Sequence, residues 1–241
     1  MKKCFVVVLM ACMTVSAWAV DLPKQGFGFQ IGWAQPILRL NSPSNSMPKD
    51  SLLNVTKLNG FKLGVVYDAS FIAGFGSSIG INYTFGASAS NWKQVGVSVY
   101  PQQRARTLYH EVEVFVDWQY KFEVAKETYL IVYTGPSIQC GIAFNKFVDQ
   151  KSIDGTVTRN ITKQELYTTD SADEVLKRIN VTWGIGAGFQ YQRYFLRGGY
   201  EFGLINPYKN EKFTTSIEDR YTRGRLDQWS IKIGAYIWYK D

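Results

Sequence analysis

The sequence predicts an all-β fold, an eight-stranded antiparallel up-and-down β-barrel. Three observations favour it: eight runs in which bulky apolar residues alternate with small or polar ones, connections that are alternately long and short, and a composition rich in β-forming residues. The 241 residues include 15 Tyr, 15 Phe and 7 Trp, with 21 Gly and only 7 Pro. Aromatic residues favour strands, and glycines suit the turns that join them.

Period-two alternation recurs along most of the chain and predicts strands with one apolar face. In the first run, for example, Phe29 and Ile31 lie on one parity, and Gln30 and Gly32 lie on the other. The fifth run is almost continuously apolar, so its facing stays open, and Pro136 predicts an irregularity in it. The eight runs are residues 26–40, 59–68, 76–86, 107–122, 127–144, 179–192, 193–205 and 228–241. The last run carries a bulky apolar parity almost to the C-terminus: Trp229, Ile231, Ile233, Ile237 and Tyr239.

The lengths of the connections indicate how the strands are arranged. Connections after even-numbered runs are short, whereas those after odd-numbered runs are long. The long ones are about residues 41–58, 87–106, 145–178 and 206–226. An up-and-down sheet with this alternation has all its long loops at one end, which is typical of outer-membrane barrels. Loops often carry binding functions, so these four segments are the candidate sites for a surface ligand or protein partner.

Side-chain volume predicts which face of the strands points outward. The interior of an eight-stranded barrel is just wide enough for its side chains to fill. The bulky apolar face would overfill that space, so it is predicted to point outward, where only lipid makes such a surface tolerable. The prediction is therefore a transmembrane β-barrel with short periplasmic turns and long extracellular loops. Two aromatic girdles are predicted, one from Tyr67, Trp118, Tyr120, Tyr191 and Tyr239 at the turn side, the other from Trp183 and Trp229 at the loop side.

The N-terminal segment has the features of a secretory signal peptide. A basic start, an apolar stretch and a small-x-small site end at Ala19, which predicts cleavage before Val20. Residues 1–19 are therefore predicted to be the signal peptide and residues 20–241 one outer-membrane β-barrel domain. An alternative is a lipoprotein signal in which Cys12 is acylated.

Charge and cysteine content limit the classes of function. Without Cys4 and Cys12 of the signal peptide, Cys140 is the one remaining cysteine, so no internal disulfide is expected. The formal net charge of +7 falls to +5 once Lys2 and Lys3 are removed. In an exported protein this favours anionic surfaces such as lipid phosphates, and it does not favour nucleic acid. The mean hydropathy of -0.16 excludes a helical membrane protein of several spans.

The C-terminal segment KIGAYIWY resembles the assembly signal of outer-membrane barrels. The resemblance lies in Lys232, Gly234, Ile237 and Tyr239, and it implies recognition by the barrel-insertion machinery. The chain departs from the pattern in continuing beyond the final aromatic residue. Over the mature chain, the pattern resembles the small eight-stranded outer-membrane proteins of the OmpX and PorT-like type. This resemblance implies a monomer in the bacterial outer membrane, with both termini in the periplasm and with lipid and lipopolysaccharide as partners.

Charged residues on the inward parity form a candidate lumen cluster. They are Lys62, Glu111, Glu113, Asp117, Lys121, Arg197, Glu201 and Lys232. Because an unpaired buried charge costs several kcal/mol, these residues are expected to pair and to plug the barrel. Glu201 and Lys232 are predicted to form one such pair. A lumen that conducts protons or ions is the functional alternative.

Neither a metal site nor a catalytic site is predicted. The acidic residues Glu111, Glu113 and Asp117 share their parity with no His or Cys, and a filled lumen has no room for a sugar. The single histidine, His110, is followed two residues later by Val112, which departs from the His-x-Ser arrangement of lipid A deacylases. No cofactor is predicted, and the protein is expected not to be an enzyme.

The third long loop carries two short motifs. Residues 171–174, SADE, form a capping box that predicts the start of a helix. Residues 170–172 resemble the three-residue O-glycosylation signal of Bacteroidetes. The expected function is a structural, adhesive or assembly-accessory role at the cell surface, exerted through the long loops. The alternatives are a small porin-like pore and a secreted soluble lipocalin-like carrier of an apolar ligand.

Overall fold

The computed structural model describes residues 25–40, 58–72, 74–94, 101–165, 167, 176–207 and 224–240. The predicted signal peptide with its cleavage site at Ala19 and Val20, the alternative lipidation site Cys12, and both motifs at 170–174 lie outside these residues. The strands are β1 (Gln25–Leu40), β2 (Asn59–Ile72), β3 (Phe75–Ala89), β4 (Lys93–Gln94), β5 (Gln102–Ala125), β6 (Thr128–Lys151), β7 (Val157–Glu165), β8 (Ile179–Tyr191), β9 (Tyr194–Gly203) and β10 (Gly224–Lys240). Among the described residues, no helix is long and apolar enough to cross a membrane.

Eight of the strands form a closed antiparallel ring. The ring runs β1–β2–β3–β5–β6–β8–β9–β10 and closes where β10 pairs with β1 along most of both strands. Neighbours in the ring follow one another in sequence once β4 and β7 are set aside, which is the up-and-down arrangement. The predicted eight-stranded barrel is therefore confirmed.

The apolar parity of the strands faces outward, as side-chain volume predicts. On β10, Ile231 and Ile233 are 55% and 58% exposed, whereas the intervening Lys232 is 5% exposed. The same alternation settles the facing of β6, where Leu130 points outward and Ile131 inward. The interior is lined by small, polar and charged residues, with aromatic rings among them.

Pro136 interrupts the pairing of β5 with β6. The ladder pairs Phe115 with Ser137 and resumes at Trp118 with Thr134, without a change of register. Proline lacks the N–H that a ladder needs, so the predicted irregularity is confirmed as a gap in the pairing.

A β-bulge near the C-terminus changes the facing predicted for Tyr239. Phe27 pairs with Trp238 and Gly28 with Tyr236, so Ile237 is the extra residue. An extra residue shifts the side-chain parity by one. Trp238 is therefore exposed on the outer surface, and Tyr239 stacks on Tyr236 with ring centroids 5.7 Å apart. Placing Tyr239 on the outward parity and in the aromatic girdle was wrong.

Two of the predicted loops contain strands that extend the sheet beyond the barrel. β5 and β6 pair as far as Gln102 and Lys151, β4 joins the β5 side, and β7 joins the β6 side. β6 last pairs with β8 at Cys140, so residues 141–151 continue beyond it by roughly 36 Å at ~3.3 Å per residue. We call β4, residues 102–109, residues 143–151 and β7 the projecting sheet. The segments 87–106 and 145–178 are thus only partly loop, because strand alternation continues through their charged residues.

Glycines on the inner wall make room for the aromatic rings of the lumen. A Cβ atom at Gly199 would lie 2.6 Å from the Tyr133 hydroxyl, and one at Gly80 would lie 2.6 Å from the Phe115 ring. Neither separation is compatible with a methyl group, so these positions need glycine for space. The inner wall is therefore closely fitted to these aromatic rings.

Candidate functional site

An apolar cluster fills the lumen at the end from which the projecting sheet extends. Its members come from four strands and two connecting segments: Leu38, Leu58, Tyr109, Phe144, Tyr167, Leu176 and Leu226. Tyr109 and Phe144 meet edge to face with ring centroids 5.2 Å apart. A second cluster, Val66, Phe115, Phe195 and Tyr236, lies deeper in the barrel among charged groups.

An ionic network centred on Lys62 lies in the half of the barrel nearer the projecting sheet. The Lys62 Nζ atom lies 2.5 Å from Glu113 Oε2 and 3.4 Å from Glu201 Oε1. Asn82 donates to the other oxygen of Glu113 at 2.8 Å, and Gln139 donates to Glu201 at 2.8 Å. Both carboxylates therefore have donors on each of their oxygens. These contacts join β2, β3, β5, β6 and β9 across the lumen.

A second network is centred on Asp68 in the half of the barrel farther from the projecting sheet. Its Oδ2 atom lies 2.7 Å from Arg197 Nη2 and 3.2 Å from Lys121 Nζ, and it accepts a hydrogen bond from Tyr236. Arg197 also donates to Ser78 at 2.8 Å. Asp68 was not included in the predicted cluster, although it lies on the same parity of its run as Lys62. That parity was the signal that could have identified it.

The predicted pair between Glu201 and Lys232 is wrong. The register places Lys232 opposite Arg197 and Glu201 opposite Gln228. Lys232 Nζ lies over the Phe115 ring, 5.0 Å from its centroid, while Glu201 contacts Lys62. The sequence identified β9 and β10 as adjacent strands, but it did not give the register between them.

The other predicted lumen residues are buried as well. Glu111 accepts a hydrogen bond from Tyr109 beneath the apolar cluster that contains Tyr109. Asp117 and Lys232 line a cavity of about 20 Å³ together with Tyr133. A buried water needs about 10–15 Å³, so this cavity suits one or two water molecules and is too small for a sugar.

Among the described residues, no group of three or more His, Cys, Asp or Glu side chains is arranged to hold a metal ion. His110 lies on the outward face, where its Nδ1 atom and the Tyr83 hydroxyl are 2.5 Å apart. Its ring also packs against Phe85.

On the outward side of the projecting sheet, an ionic cluster surrounds Asp149. Arg104 Nε and Arg106 Nε donate to its Oδ2 atom at 3.0 and 2.8 Å, and the Asn160 N–H donates to Oδ1 at 3.1 Å. The hydrogen bonds from Arg106, Asn160 and Arg104 lower the pKa of Asp149 to about 2. Asn160 has a φ of 56°, in the left-handed region that asparagine tolerates better than most residues. The cluster thereby holds β7 against β6 and β5.

β7 forms one edge of the projecting sheet. It pairs with β6 on one side, and it is the last strand in the sheet order of the described residues. Residues 157–163 are all exposed to solvent. An edge strand presents main-chain N–H and C=O groups that can pair with another chain.

Comparison with known proteins gives structural likenesses but no sequence family. No protein-family model matches the chain, and no curated protein matches it in sequence. Among solved structures, the chain is similar to Ail, the attachment invasion locus protein of Yersinia pestis, with 13% identity, a TM-score of 0.37, and coverage of 89% of this chain and 99% of that one. It is also similar to Neisserial surface protein A, with 12% identity, a TM-score of 0.38, and coverage of 88% and 97%. For the N-terminal β-barrel domain of Pseudomonas aeruginosa OprF, the identity is 12%, the TM-score 0.26, and the coverage 88% and 98%.

The closed ring and its surface define the class of the protein independently of these likenesses. Eight antiparallel strands enclose a filled polar interior, and apolar side chains cover the outside. A surface of this kind is suited to lipid, and a closed ring leaves no strand edge within it. The chain is a small membrane-type β-barrel.

Proposed function

We propose that the protein is a plugged, non-enzymatic barrel of the bacterial outer membrane that presents the projecting sheet to a protein partner at the cell surface. The observation that carries the proposal is the exposed edge of β7, on a sheet that extends well beyond the barrel. The barrel then serves as an anchor, and the projecting sheet as the binding surface. The structural or adhesive role expected of the long loops is thereby assigned to the projecting sheet.

The outer surface supports the membrane location. Apolar side chains of this surface are more than half exposed, as at Phe29, Ile231 and Ile233. A continuous apolar surface of this kind would be unfavourable in water. Electrophoresis of the mature protein in SDS, with and without boiling, tests this directly. A folded barrel resists unheated SDS and migrates differently after boiling. Recovery from the soluble periplasmic fraction, with no change of mobility on heating, would contradict the location.

The filled lumen argues against the pore and the carrier. The cavity beside Asp117 is about 20 Å³, which is too small for a hydrated ion or an apolar ligand. A lipocalin-like carrier is also contradicted by the facing of the strands, since its apolar side chains would have to point inward. Single-channel recording should therefore show no stable openings. Stable openings would instead favour the small pore.

The regularly paired part of β7, residues 162–165, favours recognition by strand addition, whereas residues 159–161 form a bulge opposite Asp149. An extended peptide can continue a sheet at its free edge, with main-chain hydrogen bonds providing affinity and alternate side chains providing specificity. The Asp149 cluster holds β7 in place before a partner arrives, which reduces the entropy lost on binding. The exposed Ile161 offers an apolar contact on this edge.

A photo-crosslinking amino acid introduced on intact cells tests the partner site. Placed at Ile161 it should give discrete protein adducts, whereas at Ile153, in the turn between β6 and β7, it should not.

Successive N–H groups point to opposite edges, so one of T162P and K163P removes a free-edge donor and the other a ladder hydrogen bond. One of the two should abolish the adduct while β7 stays folded. Equal adducts from both crosslinking positions, or none from either, would refute the site.

The remaining expectations stay proposals. Affiliation with the OmpX and PorT-like type is supported by the eight-strand plan with its long connections at one end. Recognition of the C-terminal segment by the insertion machinery is supported by its sequence pattern, although the bulge places Ile237 and Tyr239 on opposite faces of the folded strand. Lipopolysaccharide contact is supported by the basic side chains Arg104 and Arg106 on the outward side of the projecting sheet.

A further inference from the structure

Lys146 carries a buried ammonium group that has no hydrogen-bond partner. It lies on β6 in the projecting sheet, where it is 4% exposed, and its Nζ atom is buried and unpaired. Lys62, Lys121 and Arg197, by contrast, each contact a carboxylate. Burial alone lowers the pKa of Lys146, to about 8, with no contribution from a neighbouring charge. Because burying an unpaired charge is unfavourable, this position would be stabilised by a counter-ion.

The residues beside Lys146 on the sheet supply further hydrogen-bond donors. Thr107 pairs with Lys146 across β5 and β6, and Ser88 pairs with Thr107 across β3 and β5. Directly paired residues have Cβ atoms about 4.5–5.5 Å apart on the same side of the sheet. On its other side Lys146 pairs with Gln164 of β7. Ser88, Thr107 and Lys146 give the row two hydroxyl groups and one ammonium group side by side. It lies on the inner side of the projecting sheet, opposite to the Asp149 cluster.

The neighbouring rows are apolar. Tyr109 and Phe144 form the row towards the barrel, and Ala105 and Val148 form the row away from it. Tyr109, Phe144 and Val148 are all buried. In such surroundings the local dielectric is low, and the attraction between an ammonium group and an anion is stronger than in water.

We propose that Lys146, Thr107 and Ser88 form a binding site for a small oxyanion, a carboxylate or a phosphate group. The ammonium group neutralises the charge of the anion, and the hydroxyl groups donate to its remaining oxygen atoms. Such charge-assisted hydrogen bonds are stronger than those between neutral groups. The site lies apart from the β7 edge, so it would be a second recognition element of the projecting sheet.

The pKa of Lys146 is the direct measure of this site. The barrel is labelled with ¹³C-lysine, purified in an uncharged detergent, and titrated by NMR alone, with inorganic phosphate, and with acetate. A bound anion should raise the pKa of Lys146 from about 8 by about one, because an opposite charge favours the ammonium form. The two anions are titrated separately, so the result distinguishes phosphate from carboxylate binding. If neither anion changes the pKa, the site is refuted.

Two variants locate the effect. Lys146→Met removes the ammonium group, and Lys163→Met, at an exposed position on β7, is the matched control. The effective anion should raise the unfolding temperature of the natural protein and of Lys163→Met but not of Lys146→Met. Thr107→Val should weaken binding of the anion by roughly fivefold, which corresponds to the loss of one hydrogen bond.

Two further results would overturn the proposal. One is an equal response to the anion in Lys146→Met and in the natural protein. The other is a pKa of Lys146 that is already at its ordinary value in anion-free buffer, which would mean that the chain supplies its own counter-ion. In the absence of an anion, Lys146→Met should be at least as stable as the natural protein, since the substitution removes an unpaired buried charge.

Discussion

The lumen of the barrel and the outward side of the projecting sheet both contain an aspartate held by two cations, but their surroundings differ. Asp68 lies with Arg197 and Lys121 in the interior, where all three side chains are buried. Asp149 is buried beneath Arg104 and Arg106, whose side chains are 27% and 29% exposed. The desolvation cost is therefore large in the lumen and small on the sheet. The same chemistry is thus expected to plug the barrel in one place and to secure an edge strand in the other.

Arg197→Met should have the largest effect. It leaves Asp68 buried with one of its two cationic partners missing, and breaking a buried pair in this way costs about 3–5 kcal/mol. Urea unfolding of the barrel in lipid vesicles measures the loss. The triple variant Asp68→Asn/Lys121→Met/Arg197→Met should recover part of it, because it removes all three charges of this network. A single variant as stable as the natural protein would show that the lumen is more hydrated than its burial indicates.

Gly199→Ala should have an intermediate effect. Its methyl group would lie 2.6 Å from the Tyr133 hydroxyl, so Tyr133 must move within a filled lumen. Overpacking of this kind costs about 1–3 kcal/mol, measured by the same unfolding experiment. Gly184→Ala is the matched control, since the nearest atoms to its Cβ would be 3.6 Å away. Tyr133→Phe should restore much of the stability of Gly199→Ala, and an absence of any recovery would point to strain in the backbone instead.

Asp149→Asn should have the smallest effect and should act locally. Partly exposed ion pairs contribute about 1 kcal/mol or less, so amide exchange in β7 should rise by roughly fivefold while that of the barrel strands stays unchanged. An equal increase in both regions would contradict the idea that the cluster serves only the projecting sheet.

The pH dependence of β7 follows from the same carboxylate. The pKa of Asp149 is lowered to about 2 in the folded protein, so its contribution to stability is complete above the unfolded pKa of about 3.9. The contribution falls as the pH drops from about 4 towards 2, because the unfolded form binds the proton first. Amide protection of β7 should decrease over this range in the natural protein but not in Asp149→Asn.

The prediction from sequence succeeded where a local rule sufficed. Alternation located seven of the barrel strands, and volume assigned their outward face, as Ile231 and Lys232 illustrate. The eighth, β6, was recognised as an almost continuous apolar run, and its facing stayed open. The prediction failed where the contacts or the facing of a side chain depended on the partner strand. The Glu201–Lys232 pair required the register of β9 against β10, and the facing of Tyr239 required the bulge opposite Phe27. The strands of the projecting sheet were taken as loops because their charged residues obscured the alternation.

Sequence alone determined the class of the fold, the polarity of its two faces and most of the charges that enter the lumen. These properties follow from side-chain parity and volume, which each strand carries by itself. Tertiary structure decided which charges pair and which glycines lie against an aromatic ring. It also decided that the Lys146 ammonium group has no hydrogen-bond partner. These properties depend on the stagger between strands, and a shift of one residue would exchange every contact while leaving the sequence pattern unchanged.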